Sequence, residues 1–170
     1  MRHMVLKFFL SIAVVLSLSI SVFALDYDVI FGIPAYDGGV NNLWIADSIS
    51  DEITIGNVGS GYAVQKYKGI FTFNTSQISF TKEIQQITLA TSLTTGWPGV
   101  GFRTDLLKLE IAGFTGFGGS MFITGYDYYA PAAKSDAATL GYAYLTFHLT
   151  EEALLYINRF GLTQFRIVYD

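Results

Sequence analysis

The chain has 170 residues, 51% of them hydrophobic and 14% charged, with no cysteine and a formal charge of −4. That is ample apolar material for one cored domain, and it excludes disulfides, cysteine nucleophiles and thiolate metal sites. Setting aside the leader described next removes Arg2 and Lys7 and no acid, leaving eight basic against 14 acidic residues, a charge of −6; nucleic acid, whose phosphates want a basic footprint, is not an expected partner.

The chain opens with Arg2, His3 and Lys7, an apolar run over 8–20, and a small-residue exit at Val22, Phe23 and Ala24. This reads as a secretory signal peptide over 1–24, cut after Ala24. The apolar run is shorter than the roughly 20 residues a spanning helix needs. The expected product is secreted or held at the cell surface, is not transmembrane after cleavage, and folds as one domain over 25–170.

A first strand is expected over 26–31, a turn over 34–39, and two short strands near 43–49 and 53–55. The stretch 62–73 alternates, with Gln65, Tyr67, Gly69, Phe71 and Phe73 on one parity and Lys66, Lys68 and Ile70 on the other. The aromatic parity belongs to a core, which sends Lys66 and Lys68 outward. Asn74, Thr75 and Ser76 form a side-chain-bonded turn. Further strands are expected over 84–93 and 107–111, separated by a turn-rich loop over 94–103 that carries Trp97 and Arg103.

After a glycine-rich stretch over 113–119, strand character resumes over 121–124, and 126–138 reads as an irregular crossing. Over 141–149 Leu145, Phe147 and Leu149 point inward while Tyr142, Tyr144 and His148 point outward. Thr150 is the expected N-cap of a helix of one or two turns, with Glu151 and Glu152 near its positive end and Gly161 as its stop. In the closing strand, 163–169, Phe165, Ile167 and Tyr169 share the core face and Gln164, Arg166 and Val168 the other. Eight or nine short strands and one short helix before the last strand predict an all-β fold, a jelly-roll β-sandwich.

Three stretches carry a family resemblance. They are the run Tyr67, Lys68, Gly69, Ile70, Phe71, Thr72, Phe73, Asn74, Thr75, Ser76; the run from Phe117, Gly118, Gly119 and Ser120 through Asp127 to Pro131; and Tyr156, Ile157, Asn158, then Gly161, Thr163, Gln164, Phe165 and Arg166. In this order they resemble DNRLRE-type secreted domains, which include the alginate-binding modules of carbohydrate-binding module family ninety-six, over roughly 36–169. The resemblance implies a β-sandwich module that binds and does not catalyse. The family pattern has a second basic residue where this chain has Val168, and a further strand beyond the position of Asp170. The departure implies that either the fold closes differently or a sheet edge stays open.

A sugar-binding surface needs aromatic rings against sugar C–H faces and polar groups that read hydroxyls or carboxylates. The candidates are Tyr142, Tyr144 and His148 as an outward row, Lys66, Lys68 and Arg166 as cations for uronate carboxylates, and Trp97 and Arg103 in the turn-rich loop. Each has a packing alternative, the tyrosines against a second sheet and Trp97 as an end plug. Tyr126, Tyr128 and Tyr129 are similar, with Tyr128 or Tyr129 assigned to the core. Asp37, Asn41, Asp47 and Asp51 offer oxygen ligands for a structural calcium, although their spacing fits turns better than a calcium loop.

Catalysis finds little support. His148 is the one histidine after the leader, no serine sits in a nucleophile elbow, and neighbours Glu151 and Glu152 point apart on a helix. The expectation is a secreted, non-catalytic carbohydrate-binding module for polysaccharide, acidic ones such as alginate included. The alternative is a structural or adhesive surface component that packs against another protein at an open sheet edge.

Overall fold

The computed structural model describes residues 29–47, 53, 55–58, 64–81, 83–91, 104–141 and 145–170. The leader, the 94–103 loop and Asp51 lie outside these residues. Nine strands lie among them: β1 (Gly38–Asn41), β2 (Ala46–Asp47), β3 (Gly56–Val58), β4 (Gln65–Asn74), β5 (Thr88–Thr91), β6 (Leu107–Ile111), β7 (Ala138–Gly141), β8 (Leu145–Leu149) and β9 (Leu162–Tyr169). One sheet has the order β2-β1-β4-β9-β6, with β3 also on β4; the other has the order β5-β8-β7. Every pairing is antiparallel. The all-β, sandwich-like character expected from the alternation is therefore present.

The alternation of β9 explains its place. Phe165 is opposite Phe71 on β4 and Ile111 on β6, and Ile167 is opposite Gly69 and Leu109. These rows of apolar side chains meet Leu89, Phe147 and Leu149 from the second sheet in one core, closed at the side by Ala153 and Ile157. Burying a side chain of this size contributes about 1.5–3 kcal/mol, so rows shared by three strands and backed by a second sheet fix the register of β9. Of the two alternatives, a different closure or an open edge, the closing strand itself is not an edge, because β9 is flanked by β4 on one side and β6 on the other. The outer edge of β6 is occupied as well: Ile111 N–H donates to the Lys134 carbonyl and Ala137 N–H to that of Leu109. At the other end of β4, Tyr67 is opposite Asn41 on one edge and Gly56 on the other, so β3 takes the edge that β9 has left.

The second face of the first sheet is largely covered. The irregular segment after β6 folds back across it, and Val40, Ile70, Ala112, Phe117 and Tyr128 form a second apolar cluster there. This changes several expectations. Gln164, Arg166 and Val168 are on the face opposite the sandwich core, as their parity requires, but are buried rather than solvated. Residues 121–124 are not a strand but part of this cover, with short 3-10 turns at Phe117–Gly119 and Gly125–Tyr128. Gly116, at φ +87°, allows the sharp entry, since a Cβ there would collide with the Ser120 carbonyl.

Residues 29–31 form no strand; Gly32 makes a single bridge to Phe73. The helix α1 (Glu151–Leu154) is capped as expected, the Thr150 hydroxyl accepting from Ala153 N–H. It ends at Leu154, with Leu155 as its C-cap, well before Gly161. The Gly161 carbonyl instead accepts from Ser76 N–H at 3.0 Å and the Thr75 hydroxyl at 3.1 Å, tying the turn after β4 to the start of β9.

Candidate functional site: an aromatic corner on a strained hairpin

The β1–β2 hairpin places three large apolar side chains in solvent. Leu43, Trp44 and Ile45 are each more than half exposed. The loop is rigid despite this, because Asn41 is buried and its side-chain oxygen accepts from both Leu43 N–H and Ile45 N–H at 3.0 Å. Trp44 closes the turn in the left-handed region, at φ +65°. A bulky residue there is strained by about 1–2 kcal/mol, which glycine would avoid. A position where stability alone favours glycine therefore holds an exposed indole.

Two tyrosines from the cover segment meet that indole. Tyr126 is 71% exposed, its ring centroid 5.0 Å from that of Trp44 and at 72° to it; Tyr129 is 54% exposed, at 4.7 Å and 38°. The Tyr129 hydroxyl donates to the Asn42 carbonyl at 2.9 Å, binding the segment to the hairpin. Gly125 makes the approach possible, since a Cβ there would run into the Trp44 carbonyl oxygen. Lys66 is exposed beside this corner, its backbone paired with Asn42 through N–H to side-chain oxygen at 2.9 Å.

The tyrosines are supported from beneath by the buried polar face of β4 and β9. Lys68 Nζ donates to the Tyr128 carbonyl at 2.8 Å and lies 4.4 Å from the centroid of the Tyr128 ring. Burial, with Arg166 nearby, lowers the pKa of Lys68. Arg166 donates to the Asp127 carbonyl through Nη1 and to the Ala130 carbonyl through Nη2 at 2.9 Å, over the Phe117 ring at 4.2 Å. Gln164 accepts from Phe117 N–H at 2.9 Å and donates to the Met121 carbonyl and the Thr72 hydroxyl. An irregular segment over a sheet leaves carbonyls that no ladder satisfies, and long side chains rich in donors fill that need. Asp127, itself buried, accepts from Thr124 N–H at 2.6 Å and holds the turn before Tyr128; burial raises its pKa against that bond.

Of the expected ligand residues, Lys66, Lys68, Arg166 and His148 are described, and these four do not form one site. Lys66 is exposed at the corner, whereas Lys68 and Arg166 are structural supports below it. His148 alternates with core residue Phe147 on the outer face of the second sheet, its Nδ1 at 3.1 Å from both Gln86 Nε2 and Thr88 Oγ1. That puts it on the opposite side of the sandwich from Arg166. Trp97, Arg103, Tyr142 and Tyr144 lie outside the described residues. Of the calcium candidates, Asp37 accepts from Thr72 N–H at 2.6 Å, Asp47 is an exposed residue of β2, and the Asn41 oxygen is spent on the hairpin. Among the described residues no three histidine, cysteine or acidic side chains stand together as a metal-holding group, and no helix is long and apolar enough to cross a membrane.

Trp44 is the residue that sequence reasoning missed. Within an expected strand over 43–49 it reads as one apolar position among three. The usable signal is Asn41-Asn42 directly before it, a pair that favours tight turns. Tyr128 takes the core position expected of it or of Tyr129. The fold and site together define an all-β, sandwich-like protein with an exposed aromatic corner. Comparison with protein-family models, curated proteins and solved structures finds no match to the chain.

Proposed function

We propose that this is an exported, non-catalytic carbohydrate-binding module of the jelly-roll type, which binds polysaccharide at the Trp44, Tyr126 and Tyr129 corner. The observation that carries the reading is the strained, exposed indole: backbone energy is given up at Trp44 to hold an aromatic face in water, in a loop made rigid by Asn41. Strain retained at a surface aromatic is a mark of function, and stacking on sugar C–H faces is chemistry that such rings serve. Lys66 beside the corner extends the reading to acidic polysaccharide, whose carboxylates it is placed to meet. The resemblance to DNRLRE-type domains points the same way. Calorimetric titration against alginate, pectin and neutral glycans tests it; a folded protein that binds none of them overturns it.

One observation favours a second reading, a structural or adhesive surface component that packs against another chain. Phe80 and Phe160 stack at 4.7 Å and are both exposed, with Leu155 exposed in the same loop as Phe160. This patch is at the Asn74–Leu162 end of the first sheet, away from Trp44. Light scattering distinguishes the readings, since a monodisperse monomer that binds sugar excludes self-packing there.

A further inference from the structure

A second exposed aromatic pair lies at the other end of the first sheet, and its construction repeats that of the Trp44 corner. Phe80 and Phe160 meet at 4.7 Å and 38°, the separation and tilt of the Trp44–Tyr129 pair. Both turns begin on an asparagine whose side-chain oxygen accepts from the N–H two residues on, Asn41 from Leu43 at 3.0 Å and Asn158 from Phe160 at 3.1 Å. The Phe160 turn is also tied down. The Thr75 hydroxyl donates to the Asn158 carbonyl at 2.7 Å, and Asn158 N–H donates to the Thr163 hydroxyl at 2.9 Å. Phe160 is nonetheless 88% exposed.

The size and surroundings of this pair suit a sugar better than a second protein. Two phenylalanine rings exposed to this degree offer on the order of 300 Å² of aromatic surface. Even with Leu155 added, the patch is well short of the roughly 800 Å² per partner that a stable protein interface buries. Phe80 lies in the chain between Ser79 and Thr81, whose hydroxyls bond to each other at 2.9 Å at the surface. Aromatic rings with hydroxyls and an amide beside them in the chain suit a sugar contact. Neither ring carries a polar group of its own, which makes this contact the weaker of the two.

We infer, resting on the carbohydrate reading, that Phe80 and Phe160 form a second, weaker sugar contact, so that the module holds polysaccharide at two places. Asn41 is opposite Tyr67 and Leu162 opposite Asn74, seven residues further along β4. At the usual strand rise this separates the contacts by at least about 23 Å. A short oligosaccharide therefore fills the corner alone. A polymer reaches both, and the first contact raises the effective concentration of sugar at the second.

The test compares the parent protein with Phe160→Ala and, independently, Phe80→Ala, on whichever of alginate, pectin and the neutral glycans binds and on its trisaccharide. Calorimetry should give trisaccharide affinities unchanged within about twofold in both variants, while affinity electrophoresis shows polymer affinity lowered about tenfold or more. Polymer affinity equal to the parent's in both variants overturns the second contact and leaves sugar binding at the corner standing. Equal loss of trisaccharide and polymer affinity also overturns it, since the pair would then belong to the principal site. A parent that self-associates by light scattering and becomes monomeric in Phe160→Ala assigns the pair to a second copy of the chain, with the same effect. Failure of the parent to bind any of the glycans overturns both readings.

Discussion

Arg166 and Glu110 are opposite one another across the β6–β9 ladder, and two guanidinium nitrogens reach the same carboxylate oxygen, Nε at 2.6 Å and Nη2 at 2.5 Å. The arginine is almost wholly buried and the glutamate mostly so. The pair neutralises a charge beneath the cover segment, and the remaining Arg166 donors then serve the Asp127 and Ala130 carbonyls.

Removing one partner of a buried pair leaves an uncompensated charge or orphaned acceptors. Arg166→Met is therefore expected to lower unfolding stability by about 3–5 kcal/mol in urea titrations. It should also loosen the cover, raising amide exchange at Phe117 and Asp127 ahead of the sandwich core. A loss below about 1 kcal/mol would show that Arg166 is an ordinary surface pair.

Trp44→Gly separates function from stability. Glycine relieves the left-handed strain but gives up the indole's contacts with two tyrosines, so stability should change by less than about 1 kcal/mol in either direction. Sugar binding, measured by calorimetry, should fall below detection. A large loss of stability with binding retained would make Trp44 a packing residue.

Gly125→Ala inserts a methyl group against the Trp44 carbonyl. Overpacking of this kind costs about 1–3 kcal/mol, and the strain is expected to be relieved by moving the hairpin off the tyrosines. The measurable signs are a changed indole fluorescence and weakened sugar binding in a protein that still melts cooperatively. Unchanged fluorescence and binding would count against the close approach.

Asp37 gives a pH signature. Burial raises its carboxyl from 3.8 to about 6, against the hydrogen bond from Thr72 N–H. Between those values the folded chain holds a proton that the unfolded chain has released, so stability falls as pH rises through this window and the loss is complete above it. Asp37→Asn keeps an oxygen for Thr72 N–H and has no proton to lose. Its Tm should match the parent near pH 4 and exceed it above about pH 6; a constant difference at every pH would exclude Asp37 as the source.

Period-two alternation makes the faces of β4, β6, β8 and β9 legible in the sequence, and the hydroxyl-then-acid pattern at Thr150 marks the start of α1. Alternation reports which side chains share a face but not whether that face is wet. Alternation puts Gln164 and Arg166 opposite the core, where the structure has them; their burial depends on an irregular segment that has no period of its own. The 121–124 stretch has strand-like composition, yet its contacts are the Met121 carbonyl to Gln164 and Thr124 to Asp127, bonds between residues distant in sequence or local to a turn. Trp44 is harder to read for another reason: Asn41-Asn42 marks a turn, but a left-handed backbone angle at a non-glycine residue leaves no mark in composition.

The central position of β9 governs when the protein can fold. Thr72 and Gln164, neighbours in the finished sheet and joined by a hydrogen bond, are 92 residues apart in sequence. A nascent chain that has emerged only as far as Gly161 holds β4 and β6 without the strand that joins them, and a cover segment with no Gln164 or Arg166 to grip. Such a chain lacks the strand on which the first sheet is paired. The first sheet is complete only once β9 has paired with both β4 and β6, contacts of long sequence separation that form slowly.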